Sequence, residues 1–192
     1  MVFFELKSPF HQPEPDSCVP TTLKVLFANQ LNLQKSIATI KKWCGWQRGG
    51  VEPYGSIRRL DEPLSKLKIS LFEKSNCTEK DIIRLLENGV LPLIYFRMNY
   101  YSEPALNGVE VDEEGTKFYH PIVPVGLENE KVYIYDSFLT GYGKTLPKEE
   151  VKIVLNLPVF FKEWQYTFNK AFWFIAEKSK NKQLLEFEEF KK

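Results

Sequence analysis

Phe118-Tyr119-His120-Pro121-Ile122-Val123-Pro124-Val125-Gly126-Leu127-Glu128-Asn129-Glu130-Lys131-Val132-Tyr133-Ile134-Tyr135-Asp136 decides how this chain folds. Two apolar runs rich in β-branched and aromatic residues, 118–126 and 131–136, are joined by Glu128-Asn129-Glu130, which is a hairpin signature. An antiparallel hairpin that turns within 127–130 brings residues 120 and 136 near each other at its open end. On either side, Val90–Phe96 reads as a buried strand and Ala171–Ala176 as a final one. Upstream the period changes. Leu23, Leu26, Phe27 and Leu31 fall on one face of a helix that begins at Cys18. A second helix is expected over Leu33–Cys44, stopping at Gly45, and a short one around Tyr54–Leu67 after the Gly49-Gly50 and Pro53 loop. Thr78 with Asp81 reads as a capping box opening a helix through Leu86 that ends at Asn88-Gly89. Residues 3–10 read as extended, Pro13 and Pro15 mark a loop, Lys148–Leu155 reads as a short helix, and the tail from Lys180 as another. Helices early and antiparallel strands late make the fold class α+β.

The chain has 192 residues, 43% of them apolar and 27% charged, which is the composition of an ordinary soluble globular domain. With 26 Lys plus Arg against 25 Asp plus Glu, nothing global favours nucleic acid or an anionic membrane as partner. Cys18, Cys44 and Cys77 cannot all pair internally, and their scatter matches no disulfide framework. Two histidines leave little for a His-rich zinc site, and no metal or cofactor is expected. Met1–Lys7 lacks the basic lead and apolar run of a signal peptide, and no stretch is long and apolar enough to span a membrane, so a cytoplasmic location is expected. Asn76-Cys77-Thr78 matches a glycosylation sequon, which carries no weight without a secretory signal.

Imidazole chemistry must pass through His11 or His120. Cys18 stands where a loop becomes a helix, with Asp16 and Ser17 as caps and Pro20 in the first turn. There the helix dipole favours a thiolate. Alone, Cys18 reads first as a small buried cysteine on a core helix. His120 changes that reading. It begins an apolar strand, and Asp136 follows at the hairpin's open end, so a carboxylate can take one ring nitrogen and leave the other for a thiol. Without Cys18 the same pair reads equally well as a contact that merely steadies the hairpin. Gln12, five residues before Cys18 in a Pro-flanked loop, supplies a side-chain N–H that, with the backbone N–H of Cys18, would serve an oxyanion. His11 lacks any strand to fix it and reads as a solvated or rim residue.

These residues carry a resemblance. Gln12-x5-Cys18 with Asp16-Ser17-Cys18-Val19-Pro20-Thr21-Thr22, then Ile82-Ile83-Arg84-Leu85-Leu86-Glu87-Asn88-Gly89-Val90-Leu91-Pro92-Leu93-Ile94, then His120-Pro121-Ile122-Val123-Pro124-Val125-Gly126 through Asp136, resembles the papain-like cysteine peptidases. The branch it looks most like is the bacteriocin-processing, double-glycine leader peptidases. The resemblance implies a papain-like fold, with an N-terminal helical lobe bearing the nucleophile helix packed on a C-terminal antiparallel sheet. It implies Cys18 as nucleophile, His120 as general base and acid, Asp136 as orienter and Gln12 as oxyanion donor. Two positions depart from the pattern: Val19 stands where many relatives have Gly, and Ser137 where Pro is common.

The expected domain is single, 1–192, with a mainly helical lobe over about 1–89, a sheet lobe over about 90–177 and a C-terminal helix over 178–192. Its expected activity is hydrolysis of a peptide or amide bond through a Cys18 thioester, with a peptide or protein substrate. Acyltransfer or deamidation on the same machinery, and a catalytically silent peptide-binding module, are the alternatives. The stretch Met98–Tyr119, with Tyr100, Tyr101 and Tyr119, ends immediately before His120 and is expected to line the substrate cleft; a plain surface hairpin over Val109–Phe118 is the competing reading. Cys44, at a helix C-terminus, reads as packed core, and Cys77, beside a helix start, as a reactive thiol with no base. Gly143-Lys144-Thr145 lacks the leading Gly of a phosphate loop, and Glu110, Asp112, Glu113 and Glu114 match no calcium loop. Trp43, Trp46, Trp164 and Trp173 read as core or groove wall. The amphipathic run Leu184–Phe190 would pack on its own domain or meet a partner.

Overall fold

The computed structural model describes residues 2–7, 10, 13–14, 16–47, 52–97, 119–137 and 152–177. In chain order they form β1 (Val2–Phe3), α1 (Cys18–Gln30), α2 (Ile37–Cys44), α3 (Pro53–Arg58), α4 (Asp61–Ser65), β2 (Ile69–Lys74), α5 (Glu79–Glu87), β3 (Leu93–Arg97), β4 (Tyr119–Glu128), β5 (Lys131–Tyr135), β6 (Lys152–Asn156), α6 (Leu157–Trp164) and β7 (Ala171–Ala176). The strands make one antiparallel sheet in the order β2-β7-β3-β4-β5-β6, with β1 paired to β4.

The β4–β5 hairpin is the frame on which the rest is hung. Asn129 and Glu130 both take positive φ (49° and 60°), the geometry a two-residue turn needs to match strand twist. β4 pairs along its first half with β3 and along its second with β1, while β5 lines its other edge. It carries Pro121 and Pro124, which a central strand tolerates only where ladder bonds lapse; the register slips between Pro124 and Gly126. At Gly126 the chain of β1 crosses so closely that a Cβ would stand 2.5 Å from the Phe3 ring and 3.1 Å from the Val2 carbonyl.

Helix α1 is buried through most of its length, with Val19, Pro20, Thr21, Thr22, Leu23, Val25, Leu26 and Phe27 covered, as befits a helix enclosed by a core. Thr22 Oγ1 donates to the Pro121 carbonyl at 3.4 Å, tying the first turns of α1 to β4 beside His120. Gln30 bridges the far end of α1 to the sheet, its amide donating to the Phe174 carbonyl and accepting the Leu91 N–H at 3.0 Å. The capping box is present in full: the Asp81 N–H reaches Thr78 Oγ1 at 3.4 Å and the Thr78 N–H reaches Asp81 Oδ2 at 2.7 Å.

Several expectations are corrected. Ser17 occupies the N-cap position of α1 but makes no capping bond; its hydroxyl donates to the Glu14 carbonyl instead, at 2.8 Å. The second helix begins at Ile37 rather than Leu33, because Ser36 caps the Thr39 N–H, and it stops as expected at Gly45 in the left-handed region (φ 68°). The helix around Tyr54–Leu67 is two short ones, α3 and α4. Helices do not stay early and strands late. β2 pairs with β7 from the first half of the chain, and α6 follows β6 in the second. Within Lys148–Leu155, the described part is strand and not helix: Lys152–Asn156 pairs with the whole length of β5, and backbone pairing outweighs the local pattern. The expected helices from Lys180 and over 178–192 lie outside the described residues.

Candidate active site

Three elements bring the singled-out residues together. Cys18 is the first residue of α1, His120 the second of β4, and Asp136 directly follows β5. His120 Nε2 stands 2.6 Å from Asp136 Oδ1, in a setting where His120 is 4% exposed and Asp136 fully buried. The Cys18 thiol lies close enough to the same imidazole to strengthen its hold on a proton. Burial pushes the His120 pKa down, but the Asp136 charge, its hydrogen bond and Cys18 together outweigh that and hold it well above the ordinary imidazole value, at about 10.

All three cysteines are free thiols, and their surroundings separate them. Cys18 is partly exposed, whereas Cys44 and Cys77 are buried. Burial pushes the Cys44 thiol up to about 11 and the Cys77 thiol up to about 12. Cys77, expected to be reactive, is thus a core side chain; Cys44 is core as anticipated.

The loop that delivers Cys18 is held from the end of α2. Lys41 forms an ion pair with Glu14 and stands 3.7 Å over the ring of Trp46. The Trp46 indole N–H donates to the Asp16 carbonyl at 2.7 Å, two residues before the thiol. Gly45 makes this possible. Its positive φ turns the chain so that the Trp46 N–H caps Lys41 at 2.8 Å and the indole swings back toward α1. On the other side of the loop, the Tyr135 hydroxyl donates to the Phe10 carbonyl, and Lys24 Nζ stands 3.6 Å over the Phe10 ring. The chain flanking residue 12 is therefore anchored at Phe10 by the residue preceding Asp136, and at Glu14 by α2. Trp46 and Lys41 were not singled out for this role. The one available signal was Trp-Cys-Gly-Trp at 43–46, where a helix-stopping Gly is followed at once by a large donor-bearing side chain.

Gln12, His11, Tyr100 and Tyr101 lie outside the described residues. Tyr119 opens β4, opposite Arg97, and is 39% exposed. It lies near enough to Tyr54 that, after burial, it is the next largest influence raising that phenol's pKa. Tyr54 meets the ring of Tyr95 edge-on at 5.6 Å, and Lys170 stands 4.8 Å over it. Val19 is buried in α1 and Ser137 is fully buried beside Asp136. Among the described residues no group of three or more His, Cys, Asp or Glu is arranged to hold a metal ion, and no helix is long and apolar enough to cross a membrane.

No protein-family model matches the sequence, and no curated protein matches it either. Solved structures do. The peptidase domain of Streptococcus ComA, a bifunctional ABC transporter involved in quorum sensing, superimposes with a TM-score of 0.56 at 13% identity, covering 88% of this chain and 97% of that one. A Bacillus anthracis protein described as a C39-like peptidase superimposes with a TM-score of 0.65 at 14% identity, covering 94% and 100%. The chain has the C39-like, papain-like peptidase fold. A third structure, the double-glycine-motif protease of an AMS/PCAT transporter in complex with a leader peptide, gives a TM-score of 0.54 at 12% identity over 89% and 93%. At such identities the likeness is one of architecture. Within this C39-like fold, α1 packs on β4, the strand that carries His120.

Proposed function

We propose that this chain is a cysteine peptidase that cleaves a peptide bond through a Cys18 thioester. The observation that carries the reading is the position of His120, with one ring nitrogen on a buried carboxylate and the thiol of the α1 N-terminal residue near enough to act on the ring. In such a pair the sulfur attacks the carbonyl carbon and the C–O π bond opens to an oxyanion. The backbone N–H of Cys18 and the side-chain amide of Gln12 donate to that oxygen. The C–N bond then breaks as the imidazolium gives its proton to the departing amine, leaving the acyl group on sulfur. Water enters, His120 takes its proton, and the second tetrahedral state collapses to acid and free thiol. Asp136 keeps the ring oriented and stabilises the imidazolium through both halves.

Peptide is the substrate class that the fold's relatives favour, one of them having been solved with a leader peptide. Acyltransfer and deamidation use the same first half and differ in the acceptor or the leaving group. The deciding experiment is cleavage of a peptide library by the purified protein beside Cys18→Ala, with the thioester sought by mass spectrometry after acid quench. New peptide termini that depend on Cys18 are expected. Equal cleavage by Cys18→Ala would overturn the reading, and a trapped acyl-enzyme that turns over only with an added amine would shift it to acyltransfer.

A further inference from the structure

Next to the segment that carries Trp46, the end of α2 and the face of α3 border a half-open cavity of about 220 Å³. One wall is Cys44, Gly45 and Gln47, the segment whose Trp46 holds the Asp16 carbonyl. The other is Glu52, Ser56 and Arg59.

Two charged side chains enter this space, and glycines make room for both. A Cβ on Gly45 would stand 2.1 Å from Arg59 Nη1, and a Cβ on Gly55 would stand 2.2 Å from Glu52 Oε2. The two side chains do not form an ion pair with each other. Glu52 turns its two oxygens to the Tyr54 and Gly55 N–H groups as the N-cap of α3, which holds its carboxylate against the backbone. Ser56 likewise donates to the Pro53 carbonyl at 2.8 Å. Neighbouring Arg58 is held by Glu73 through two bonds of 2.9 and 2.7 Å. Among the described residues, Arg59 meets no carboxylate within ion-pair distance. Its guanidinium lies against Gly45 and close enough to the Cys44 thiol to act on it electrostatically. Arg59 thus presents a planar fork of donors that is not engaged by a carboxylate among the described residues, and this fork matches a carboxylate in charge and in shape.

We infer that this cavity is a subsite for a carboxylate side chain, Asp or Glu, of the peptide, and that Arg59 reads it. The inference rests on the peptide-substrate reading above. Because Trp46 links the cavity wall to the Asp16 carbonyl, an acidic side chain seated on Arg59 lies beside the clamp that holds the nucleophile segment.

The test uses binding, so that it stands apart from turnover. The 192-residue chain carrying Cys18→Ala is immobilised and exposed to a random decapeptide library, and bound peptides are sequenced. Acidic residues at one position relative to the bound core are expected to be enriched about tenfold, the scale of one charge-assisted pair. That enrichment is expected to vanish with added Arg59→Gln, to persist in part with Arg59→Lys, and to turn toward Lys and Arg with Arg59→Glu. Arg59 is exposed, and the thermal midpoint of each variant checks that it folds. No acidic enrichment in the Arg59 protein, or the same enrichment in Arg59→Gln, overturns the inference. Cys18-dependent cleavage is measured separately, so a peptide-binding protein that does not cleave defeats the proposed function and leaves the subsite standing.

Discussion

His120 Nε2 and Asp136 Oδ1 stand 2.6 Å apart with both side chains sealed from solvent, one at the second residue of β4 and the other just past β5. A buried pair of this kind is costly to break from one side, because the remaining partner keeps its desolvation without its compensation. Asp136→Ala is therefore expected to lower stability by about 3 kcal/mol and abolish Cys18-dependent chemistry. Asp136→Asn keeps the shape and a hydrogen-bonding oxygen but not the charge. It is expected to fold, while the rate of peptide cleavage drops by roughly two orders of magnitude or more for want of a stabilised imidazolium. Urea titration and single-turnover cleavage of both variants check the pair. An Asp136→Asn protein with undiminished rate would show that the carboxylate only braces the hairpin.

The raised pKa of His120 has a signature in stability. The unfolded imidazole titrates at about 6.5 and the folded one at about 10. The folded state thus binds the proton more tightly, and its stabilisation is full below the unfolded value and lost as pH climbs through the folded one. Against His120→Gln, which lacks the titration, the wild-type protein is expected to lose roughly 4 kcal/mol between pH 6 and pH 10. Urea midpoints measured in parallel at those pH values provide the check. Parallel curves for the two proteins would contradict it.

Thiol labelling separates the cysteines without any substrate. Cys18 is partly exposed and beside an imidazole, while Cys44 and Cys77 are buried with thiols pushed to about 11 and 12. Iodoacetamide at neutral pH is expected to modify Cys18 at least roughly a hundredfold faster than the other two, which react only on unfolding. Peptide mapping against time reads this directly, and His120→Ala should slow the Cys18 trace alone.

How much of this was legible in the sequence depends on range. The hairpin and the capping box are written in neighbouring residues, as Glu128-Asn129-Glu130 between two apolar runs and as Thr78 with Asp81, so local chemistry sufficed for both. β2 and β6 were not legible, since Ile69–Lys74 becomes strand through β7 at the other end of the chain and Lys152–Asn156 through β5. The approach of Cys18 to His120 depends on contacts such as Thr22 to Pro121, 99 positions apart, and no spacing rule predicts those. The resemblance supplied that pairing from outside the physics of the segment. The α2 clamp on Glu14 and Asp16 was missed because it depends on the direction in which Gly45 releases the chain.

That clamp can be tested through Trp46. Phenylalanine keeps a ring beneath Lys41 but removes the N–H that reaches the Asp16 carbonyl. Trp46→Phe is expected to cost about 1 kcal/mol of stability, the net worth of one hydrogen bond. Its larger effect is expected on the rate constant for acylation, since a nucleophile displaced by a fraction of an ångström reacts more slowly even when bound substrate is unchanged. A fall in kcat with KM preserved, together with slower iodoacetamide labelling at Cys18, is the expected result. Loss of stability with both rates intact would assign Trp46 to packing alone.

Gly126 offers a control away from the thiol. A methyl there would press on the Phe3 ring at 2.5 Å and on the Val2 carbonyl at 3.1 Å. The ring is 40% exposed and can rotate away, but the carbonyl belongs to the β1 backbone and can yield only if the strand moves. Gly126→Ala is therefore expected to destabilise by about 1–2 kcal/mol through overpacking. Trimming the partner with Phe3→Ala should recover part of that loss, because it removes the closer of the two contacts. Cys18 labelling should stay at the wild-type rate in both variants, since β1 lies along the second half of β4 and His120 stands in the first. Thermal midpoints of the two single variants and the double variant give the coupling between the sites, and purely additive losses would mean that β1 already stands clear of Gly126 in solution.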